Sequence, residues 1–381
     1  MICIKNAHVV LESSILADGA ILIDGERIVS VGPCKDMPLP PDCTCIDAGG
    51  AYVGPGFVDI HVHGGGEAMF YEDPEKAAAH FLAHGETTQL ATLYYDLDKE
   101  SFAAAIDRIK DAMAHGTAAK AIAGFYMEGP YMNPKYGASA EKNRWRGQIK
   151  EEDYRLIVDR AGDLAHVWAV APEREGIAPF MAYAKKINPN TVFAVGHSEA
   201  TPAQIRALKH YGISLQTHCM NATGRHSDFL GTRGSGPDEA CLLDSDMYAE
   251  LISDSLAVHV NADLQKLILQ VKGIDKLVLI SDSFVSPEPS PESMRHVTDL
   301  SFDAGGNLSG SRLTMDAACR NLMQHTGCSI FDAFLAASRN GARVIGMDRE
   351  IGTIEVGKLA NLVFVDDQFH VRQVMLRGKL Q

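Results

Sequence analysis

Residues 56–66 read GFVDIHVHGGG, and the prediction of the fold and of the functional site starts from this stretch. A short apolar run leads to His61 and His63, and three glycines follow. In a β-strand, side chains two residues apart point to the same face, roughly 6.6–6.8 Å apart along the strand. Both imidazoles would therefore project from one side near the strand end, before glycines that permit a sharp turn or a close ligand. Two histidines that are only hydrogen-bonded or solvated would give the same pattern. The rest of the chain therefore has to distinguish a functional pair from a structural one.

The chain between residues 54 and 345 alternates apolar, β-rich runs with amphipathic segments that have helical spacing. Eight such runs predict strands, at residues 57–63, 87–95, 122–129, 166–173, 191–199, 213–222, 247–255 and 276–283. Strands that alternate with helices are typical of parallel βα units. Eight of these units predict a (β/α)8 barrel of the TIM type.

Both ends of the chain differ from this middle part, because they contain short β runs separated by turn residues. Residues 1–53 and 346–381 together predict one small β-sandwich domain built from both termini. The barrel domain, residues 54–345, would be inserted between them. The segment 283–296, rich in proline and serine, predicts a loop near the mouth of the barrel.

A side chain that can bind a metal or carry a proton stands at the end of most predicted strands. These residues are His61, His63, Glu128, His197, His218, Asp254 and Asp282. The C-terminal ends of barrel strands meet at one mouth, where the active sites of such barrels lie. Collecting buried ionisable groups is costly without a cation, and imidazole and carboxylate ligands suit a hydrolytic divalent metal. We therefore predict a metal site, with Asp282 as an acid and base, although Asp282 and Asp254 also suit structural roles.

Composition narrows the classes of function further. The formal net charge is −14 and the pI is about 5.5, which argues against non-specific binding to nucleic acid or to an anionic membrane. Eight scattered cysteines form no CxxC pair and predict reduced thiols. No signal peptide or long apolar run is evident, so we expect a cytoplasmic protein.

Several motifs together resemble the amidohydrolase superfamily and, within it, the N-acetylglucosamine-6-phosphate deacetylase family. They are PGFVDIHVHGG (55–65), MEGPYMNPKYGA (127–138), GHSEAT (196–201), THCMNA (217–222), SDS (281–283), GNLSGSRLTMDAACRNL (306–322) and GTIEVGKLANLVFVD (352–366). The resemblance extends over nearly the whole chain. SDS takes the place of a Thr-Asp-Ala catalytic motif in that family.

The resemblance implies a metal centre and a reaction. The ligands that it implies for one metal are Glu128, His197 and His218. His61 and His63 imply a second divalent ion, with Glu128 as the bridge between the two ions. Family members that have Gln and Asn at these two positions bind a single ion. The resemblance does not identify the metal, which could be Zn, Fe or Mn. The reaction is hydrolysis of the acetamide of an amino sugar by water that the metal activates. Asp282 takes the proton of that water and passes it to the departing amine, which leaves acetate and the amino sugar phosphate.

The positions that contact substrate in the family are less well matched. Those that the resemblance suggests here are Ser139, Asn221, Ala222, Arg225, His226, Arg233 and His259. Ser139 and Ala257 stand where the family has histidines, and His259 would replace one of them only after a shift of register. Arg233, or else Arg225, would bind phosphate through its planar fork, with help from His226. The substrate is thus N-acetylglucosamine 6-phosphate or a close analogue, such as the galactosamine epimer.

Two other functions fit parts of the sequence. One is a different amidohydrolase that acts on a non-phosphorylated N-acyl or cyclic amide, although such enzymes usually bridge two metals with a carboxylated lysine where this chain has Glu128. The other is a catalytically silent relative that binds a sugar, which the presence of Asp282 disfavours. The family generally forms homodimers, so we expect a homodimer here.

Overall fold

The computed structural model describes residues 1–138, 142–227 and 229–381. Its strands are β1 (Ile2–Val10), β2 (Ile15–Asp24), β3 (Arg27–Pro33), β4 (Thr44–Asp47), β5 (Tyr52–Pro55), β6 (Phe57–Val62), β7 (Gly64–Gly65), β8 (Ala68–Met69), β9 (Glu86–Tyr94), β10 (Ile122–Glu128), β11 (Ala165–Val170), β12 (Val192–Val195), β13 (Ile213–Gln216), β14 (Tyr248–Ile252), β15 (Leu277–Ile280), β16 (Leu300–Phe302), β17 (Leu308–Ser311), β18 (Leu362–Val365), β19 (Val371–Leu376) and β20 (Lys379–Leu380). Its α-helices are α1 (Pro74–Ala83), α2 (Lys99–His115), α3 (Glu151–Ala161), α4 (Ile177–Ile187), α5 (Pro202–Leu208), α6 (Pro237–Leu243), α7 (Ala262–Lys272), α8 (Met315–Thr326), α9 (Ile330–Phe334) and α10 (Asn340–Val344).

The middle of the chain forms the predicted barrel. Eight strands pair in parallel in the order β15-β14-β13-β12-β11-β10-β9-β6. Each of them overlaps a run that the alternating pattern assigns to a strand, and β9 and β11 begin one residue before theirs. Because all eight run in the same direction, their C-terminal ends lie together at one end of the barrel. The predicted fold class is confirmed.

Helix starts between the strands are set by local sequence. Asp98 precedes α2, and its carboxylate accepts the backbone N–H of Ser101. Thr201 and Gln204 form a capping box at the start of α5. Such caps satisfy N–H groups that have no partner within the helix, and they fix where each crossover begins.

The first and last barrel strands meet through a small number of backbone hydrogen bonds. Asp282, which follows β15, donates its N–H to the carbonyl of His61 at 2.9 Å. His63 donates its N–H to the carbonyl of Ser283 at 3.0 Å. This junction, which we call the closing seam, places both histidines of the opening motif beside Asp282.

The side chain of Asp59 supplements the closing seam from within. Its carboxylate accepts the backbone N–H of His61 at 3.0 Å and that of Ser281, on the opposite side, at 3.2 Å. Burial raises the pKa of Asp59 to about 7, although the bonds to Ser281 and His61 act in the opposite direction. Asp59 therefore bridges the two strands where the backbone ladder is short.

Strands from both termini form a second sheet with its own core. The order is β20-β19-β18-β5-β1-β2-β3, and β4 also pairs with β1. Ile4, Ile21 and Val53 from the N-terminal strands pack in one buried cluster with Leu362 and Phe364 from β18. The small β domain from both ends is thus present, and the exact boundaries, 1–53 with 346–381 against 54–345, stay a prediction.

The sequence predicts reduced thiols and no helix that spans a membrane. All eight cysteines are free. Within the described ranges, none of the helices combines the length and the apolar character that crossing a membrane requires. The cytoplasmic location itself stays a prediction.

Candidate metal centre

Six ionisable side chains from strands far apart in the sequence converge at the C-terminal mouth of the barrel. Their nitrogen and oxygen atoms form two groups, each within 4.8 Å, that could hold a metal ion. One group is His61, His63, Glu128 and Asp282, and the other is Glu128, His197 and His218. Glu128 belongs to both groups, and its role as a bridge between two ions stays a prediction.

The group at the closing seam is held by short contacts. His63 Nε2 lies 3.1 Å from Glu128 Oε2 and 3.2 Å from Asp282 Oδ1. His61 Nε2 lies 3.5 Å from the same two oxygens. All of these side chains are buried, and that of Asp282 is 11% exposed, so it can face both the histidines and the cavity above them.

The second group surrounds the other oxygen of Glu128. His197 Nε2 lies 2.7 Å and His218 Nε2 lies 3.2 Å from Glu128 Oε1. The two Nε2 atoms are 3.1 Å apart. A carbonyl oxygen, that of Asn221, lies 3.1 Å from the opposite ring nitrogen of His218, which leaves Nε2 free to face the carboxylate.

The backbone at these strand ends is itself unusual. His197, His218 and Asp282 have φ angles of 43°, 26° and 49°, in the left-handed region that non-glycine residues seldom adopt. Conformations of this kind cost on the order of 1–3 kcal/mol and persist where the surrounding structure holds them. Each of these three residues turns the chain out of its strand while its side chain stays in the mouth of the barrel.

The charged side chains of the cluster shift one another's pKa values. Burial acts to lower the pKa of His61, but the charges of Glu128, Glu250 and Asp282 outweigh it and raise that pKa well above its ordinary value. Burial also acts to lower the pKa of His63, yet hydrogen bonds with Asp282 and Glu128 raise it to about 8.

The other members of the cluster follow the same electrostatics. Burial acts to raise the pKa of Glu128, but His61 and His197 hold it well below the usual range. Burial acts likewise on Asp282, and His61 and His63 outweigh it, so the pKa of Asp282 is lowered. Burial lowers the pKa of His197, whereas the bond to Glu128 raises that of His218. Both carboxylates are therefore charged at neutral pH.

These residues fit a divalent cation. His61 Nε2 is buried without a hydrogen-bond partner, although it faces two carboxylates. The donor set consists of imidazole nitrogens and carboxylate oxygens, which bind zinc, iron and manganese. A cation would satisfy the lone pairs that converge here, so the His/Glu/Asp cluster is one that could bind a metal.

A cavity of about 400 Å³ opens above the cluster. Its lining includes members of both groups and also residues that the sequence analysis does not single out, namely Tyr94, Gly137, Ala138, Phe284, Asp303, Asn307, Leu308, Ser309 and Gly310. Phe284 comes from the predicted mouth loop, and the last five belong to the β16–β17 hairpin or its turn. Gly310 has a φ of +63°, and a Cβ there would lie 2.7 Å from the carbonyl of Asp282, so no larger residue fits.

His259 also lines this cavity, which Ala257 does not. The carboxylate of Asp254 accepts the backbone N–H of Val258 and of His259, and it contacts His259 Nδ1 at 3.0 Å. The turn around Asp254 thus places His259, two residues after Ala257, at the cavity, and the shift of register relative to the family stays a prediction. Asp254 itself does not line the cavity, so its structural interpretation is the one that agrees with its position.

The remaining predicted substrate residues are divided between the cavity and its surroundings. Asn221 and Ala222 line the cavity, whereas Arg225, Arg233 and His226 do not. Arg225 Nε lies 3.0 Å and Arg233 lies 3.9 Å from the carboxylate of Glu239, and the side chain of Arg233 is 73% exposed. Their role in phosphate binding stays a prediction, and Ser139 lies outside the described residues.

Comparison with known proteins agrees with this geometry. The sequence model of the amidohydrolase family matches residues 52–380. The N-acetylgalactosamine-6-phosphate deacetylase of Escherichia coli O157:H7 is 30% identical over 387 aligned residues, which cover 98% of this chain and 99% of the relative. The N-acetylglucosamine-6-phosphate deacetylase of Bacillus subtilis is 26% identical, over 99% of this chain and 96% of the relative.

Solved structures give the same result. The N-acetylglucosamine-6-phosphate deacetylase of Pasteurella multocida superposes with a TM-score of 0.86 at 26% identity, over 100% of this chain and 99% of that chain. A mutant of the Mycobacterium smegmatis enzyme in complex with N-acetyl-D-glucosamine-6-phosphate gives 0.81 at 27% identity, over 100% of this chain and 98% of that chain. The resemblance that the motifs indicate is therefore confirmed along the whole chain.

Proposed function

The chain belongs to the amidohydrolase family, and on that premise we propose that it is a metal-dependent deacetylase of an N-acetylated amino sugar 6-phosphate. It is a hydrolase of amide bonds, as the sequence analysis predicts and the family match and relatives establish. The observation that carries the proposal is the pair of ligand groups that share Glu128, one of which includes Asp282 at the cavity wall. Relatives named for two epimeric substrates support the substrate class.

The proposed residue roles follow from the contacts. His197, His218 and Glu128 would hold one divalent ion, and His61 and His63 with Glu128 would hold a second. A divalent metal bound here would polarise the amide carbonyl and make water easier to deprotonate.

Asp282 carries the proton in this proposal. Its carboxylate is charged and lines the cavity, so it can accept a proton from the water that attacks the acetyl carbon. The same carboxyl group then donates that proton to the sugar nitrogen as the C–N bond breaks. Acetate and the free amino sugar phosphate result.

The cavity supports a sugar as the substrate. Its volume lies within the ordinary range for small-molecule sites, roughly 300–1,000 Å³. Asp303 and Asn307 offer polar side-chain atoms at its wall, suited to hydroxyl groups. The more similar of the two relatives described above acts, by its name, on the galactosamine epimer. That similarity makes N-acetylgalactosamine 6-phosphate the second candidate beside the glucosamine form.

A four-substrate screen tests the substrate. N-acetylglucosamine, N-acetylgalactosamine and their 6-phosphates are assayed by acetate release with metal-loaded protein. We expect kcat/KM for a phosphorylated sugar to exceed that for the plain sugar by about 10–100-fold or more. The reason is that charge-assisted hydrogen bonds contribute about 1.5–3 kcal/mol and about 1.4 kcal/mol is tenfold.

Each outcome of the screen discriminates between functions. Equal turnover of plain and phosphorylated sugars removes the phosphate from the proposal. Hydrolysis of a cyclic amide, with no acetate released from any sugar, favours the hypothesis of a different amidohydrolase. No hydrolysis of any substrate favours a catalytically silent relative that binds a sugar. R233A and R225A, compared with R206A at an exposed site on α5, then show which arginine the phosphate needs.

Metal uptake is expected to release protons. The pKa of His61 is raised well above its ordinary value and that of His63 is about 8, so without metal these two rings are largely protonated at pH 7. A cation binds only the neutral imidazole, so its affinity rises as pH increases towards 8. Calorimetric titration of metal-free protein with Zn²⁺ at pH 7, in buffers of different ionisation enthalpy, measures this release. Heats that are independent of the buffer would contradict the expectation.

Assembly and location remain proposals. We infer a homodimer, which the side chains of Phe229 and Leu230, 74% and 104% exposed near the predicted phosphate arginines, support as an apolar surface that needs cover. Light scattering that returns the mass of one chain would refute this. The cytoplasm is the proposed location, since the relatives are named as enzymes of sugar phosphates.

A further inference from the structure

Glu250 is a fully buried carboxylate that no sequence motif singles out. It lies in the middle of β14, where a parallel barrel strand ordinarily has apolar residues. One of its oxygens, Oε2, lies 3.1 Å from His61 Nδ1 and accepts the backbone N–H of His218 at 3.0 Å. A buried carboxylate needs donors of this kind, because an unpaired charge in a barrel interior is strongly destabilising.

We propose that Glu250 is a positioning residue that holds His61 by its Nδ1 so that Nε2 is directed to a metal ion. This inference rests on the proposed metal-dependent function. A carboxylate on one ring nitrogen keeps the proton there and leaves the other nitrogen as a lone-pair donor. His61 Nε2 is the atom without a hydrogen-bond partner, and it faces Glu128 and Asp282.

The ring of His61 is restrained in a second direction as well. The ring of Tyr126 stacks on it with a centroid separation of 4.2 Å and an interplanar angle of 25°. The hydroxyl of Tyr126 is in turn hydrogen-bonded to Thr217 at 2.8 Å. Stacking sets the plane of the imidazole and Glu250 sets its rotation, so the direction of Nε2 is fully determined.

Glu250 contacts a residue of each ligand group. His61 belongs to the group at the closing seam, and His218 belongs to the group around the other oxygen of Glu128. The N–H of His218 is bonded to Glu250 while its φ is 26°, so the carboxylate also holds this strained turn. A buried ion pair that served stability alone would not need to meet both groups through one oxygen.

Two substitutions separate positioning from charge. Because both donors converge on Oε2, glutamine can place its neutral oxygen there, and E250Q should retain wild-type metal binding. E250L removes the acceptor, and one of the two ions should bind about 10–100-fold more weakly. Metal-free proteins are titrated with Mn²⁺, and the ions per chain and their dissociation constants are measured. Electron paramagnetic resonance at two equivalents then reports the spin coupling of an ion pair, which E250L should lose.

Ser253 provides the control for Glu250. S253A removes a buried hydrogen bond to Gln265 just beyond the same strand, and because neither residue belongs to a ligand group, this variant should bind metal as the wild type does. Wild-type stoichiometry and affinities in E250L would overturn the proposal, and so would a wild-type chain that holds a single ion. Equal losses in E250Q and E250L would overturn it too, because charge would then be decisive. If E250L does not fold by circular dichroism, E250A is measured in its place.

These measurements are independent of the substrate. Metal counts are read without any sugar, so the positioning role can fail while acetate release is intact. It can equally hold in a chain that deacetylates none of the four sugars.

Discussion

Replacing Asp282 by asparagine is expected to lower kcat by about 10²–10⁴-fold, the range for loss of a general acid and base. Asparagine keeps the size of the side chain and an oxygen toward His63 Nε2, 3.2 Å away in the wild type. It cannot accept the proton of water or return it to a leaving nitrogen. Acetate release is measured together with the metal content of the same preparation.

The control for Asp282 is another buried carboxylate whose pKa is lowered. Burial acts to raise the pKa of Asp316, but hydrogen bonds from His84, Thr314 and Arg320 outweigh it. Asp316 does not line the cavity, so D316N should leave kcat unchanged. Undiminished kcat in D282N would refute the assigned role. A loss of kcat that only follows a loss of metal would make Asp282 a ligand and not the proton carrier.

Replacing Glu128 by glutamine is expected to remove both ions and all measurable turnover. Its two oxygens lie between 2.7 and 3.5 Å from the Nε2 atoms of four histidines, and it is the one residue common to both ligand groups. A glutamine offers one neutral oxygen in place of two charged ones, so the group of His197 and His218 loses its carboxylate and the group at the closing seam keeps only that of Asp282. Metal affinity should fall by more than the 10–100-fold typical of an outer partner.

Glu86 provides the matched control for Glu128. It is equally buried, but it stands at the first residue of β9, at the opposite end of the barrel, and accepts the N–H of Met315. Elemental analysis after dialysis should find wild-type metal in E86Q and none in E128Q. Stoichiometric metal in E128Q would show that the histidines suffice and would remove the bridge from the proposal.

The barrel and most of the cluster could be predicted because both depend on local sequence. Buried parallel strands are continuous apolar runs, and the ligands stand where each run ends. His61 and His63 share a face because the period of a strand is two residues. Glu128, His197, His218 and Asp282 each follow such a run, so their convergence follows from the topology alone.

The positions of the remaining residues of the candidate site could not be predicted, because they depend on contacts between distant segments of the chain. Glu250 looks like an ordinary strand residue until the fold brings His61, which lies 189 positions away in sequence, to its carboxylate. Asp303 and Asn307 come from a hairpin whose path across the mouth has no periodic signal. His259 is a candidate from the sequence, but the turn in which Asp254 gathers backbone N–H groups, and which places His259 at the cavity, is visible only in the structure.

The closing seam has a consequence for how the protein is made. The bond from Asp282 to His61 joins segments about 220 residues apart, and β15, which Asp282 follows, is the last of the eight barrel strands to leave the ribosome. Contacts so distant are the slowest to form, because closing a long loop costs entropy before any bond rewards it. A nascent or truncated chain that stops short of β15 therefore has the four histidines and Glu128 but lacks Asp282. On the proposed role of Asp282, a half-made chain would be chemically inert until the eighth barrel strand is in place.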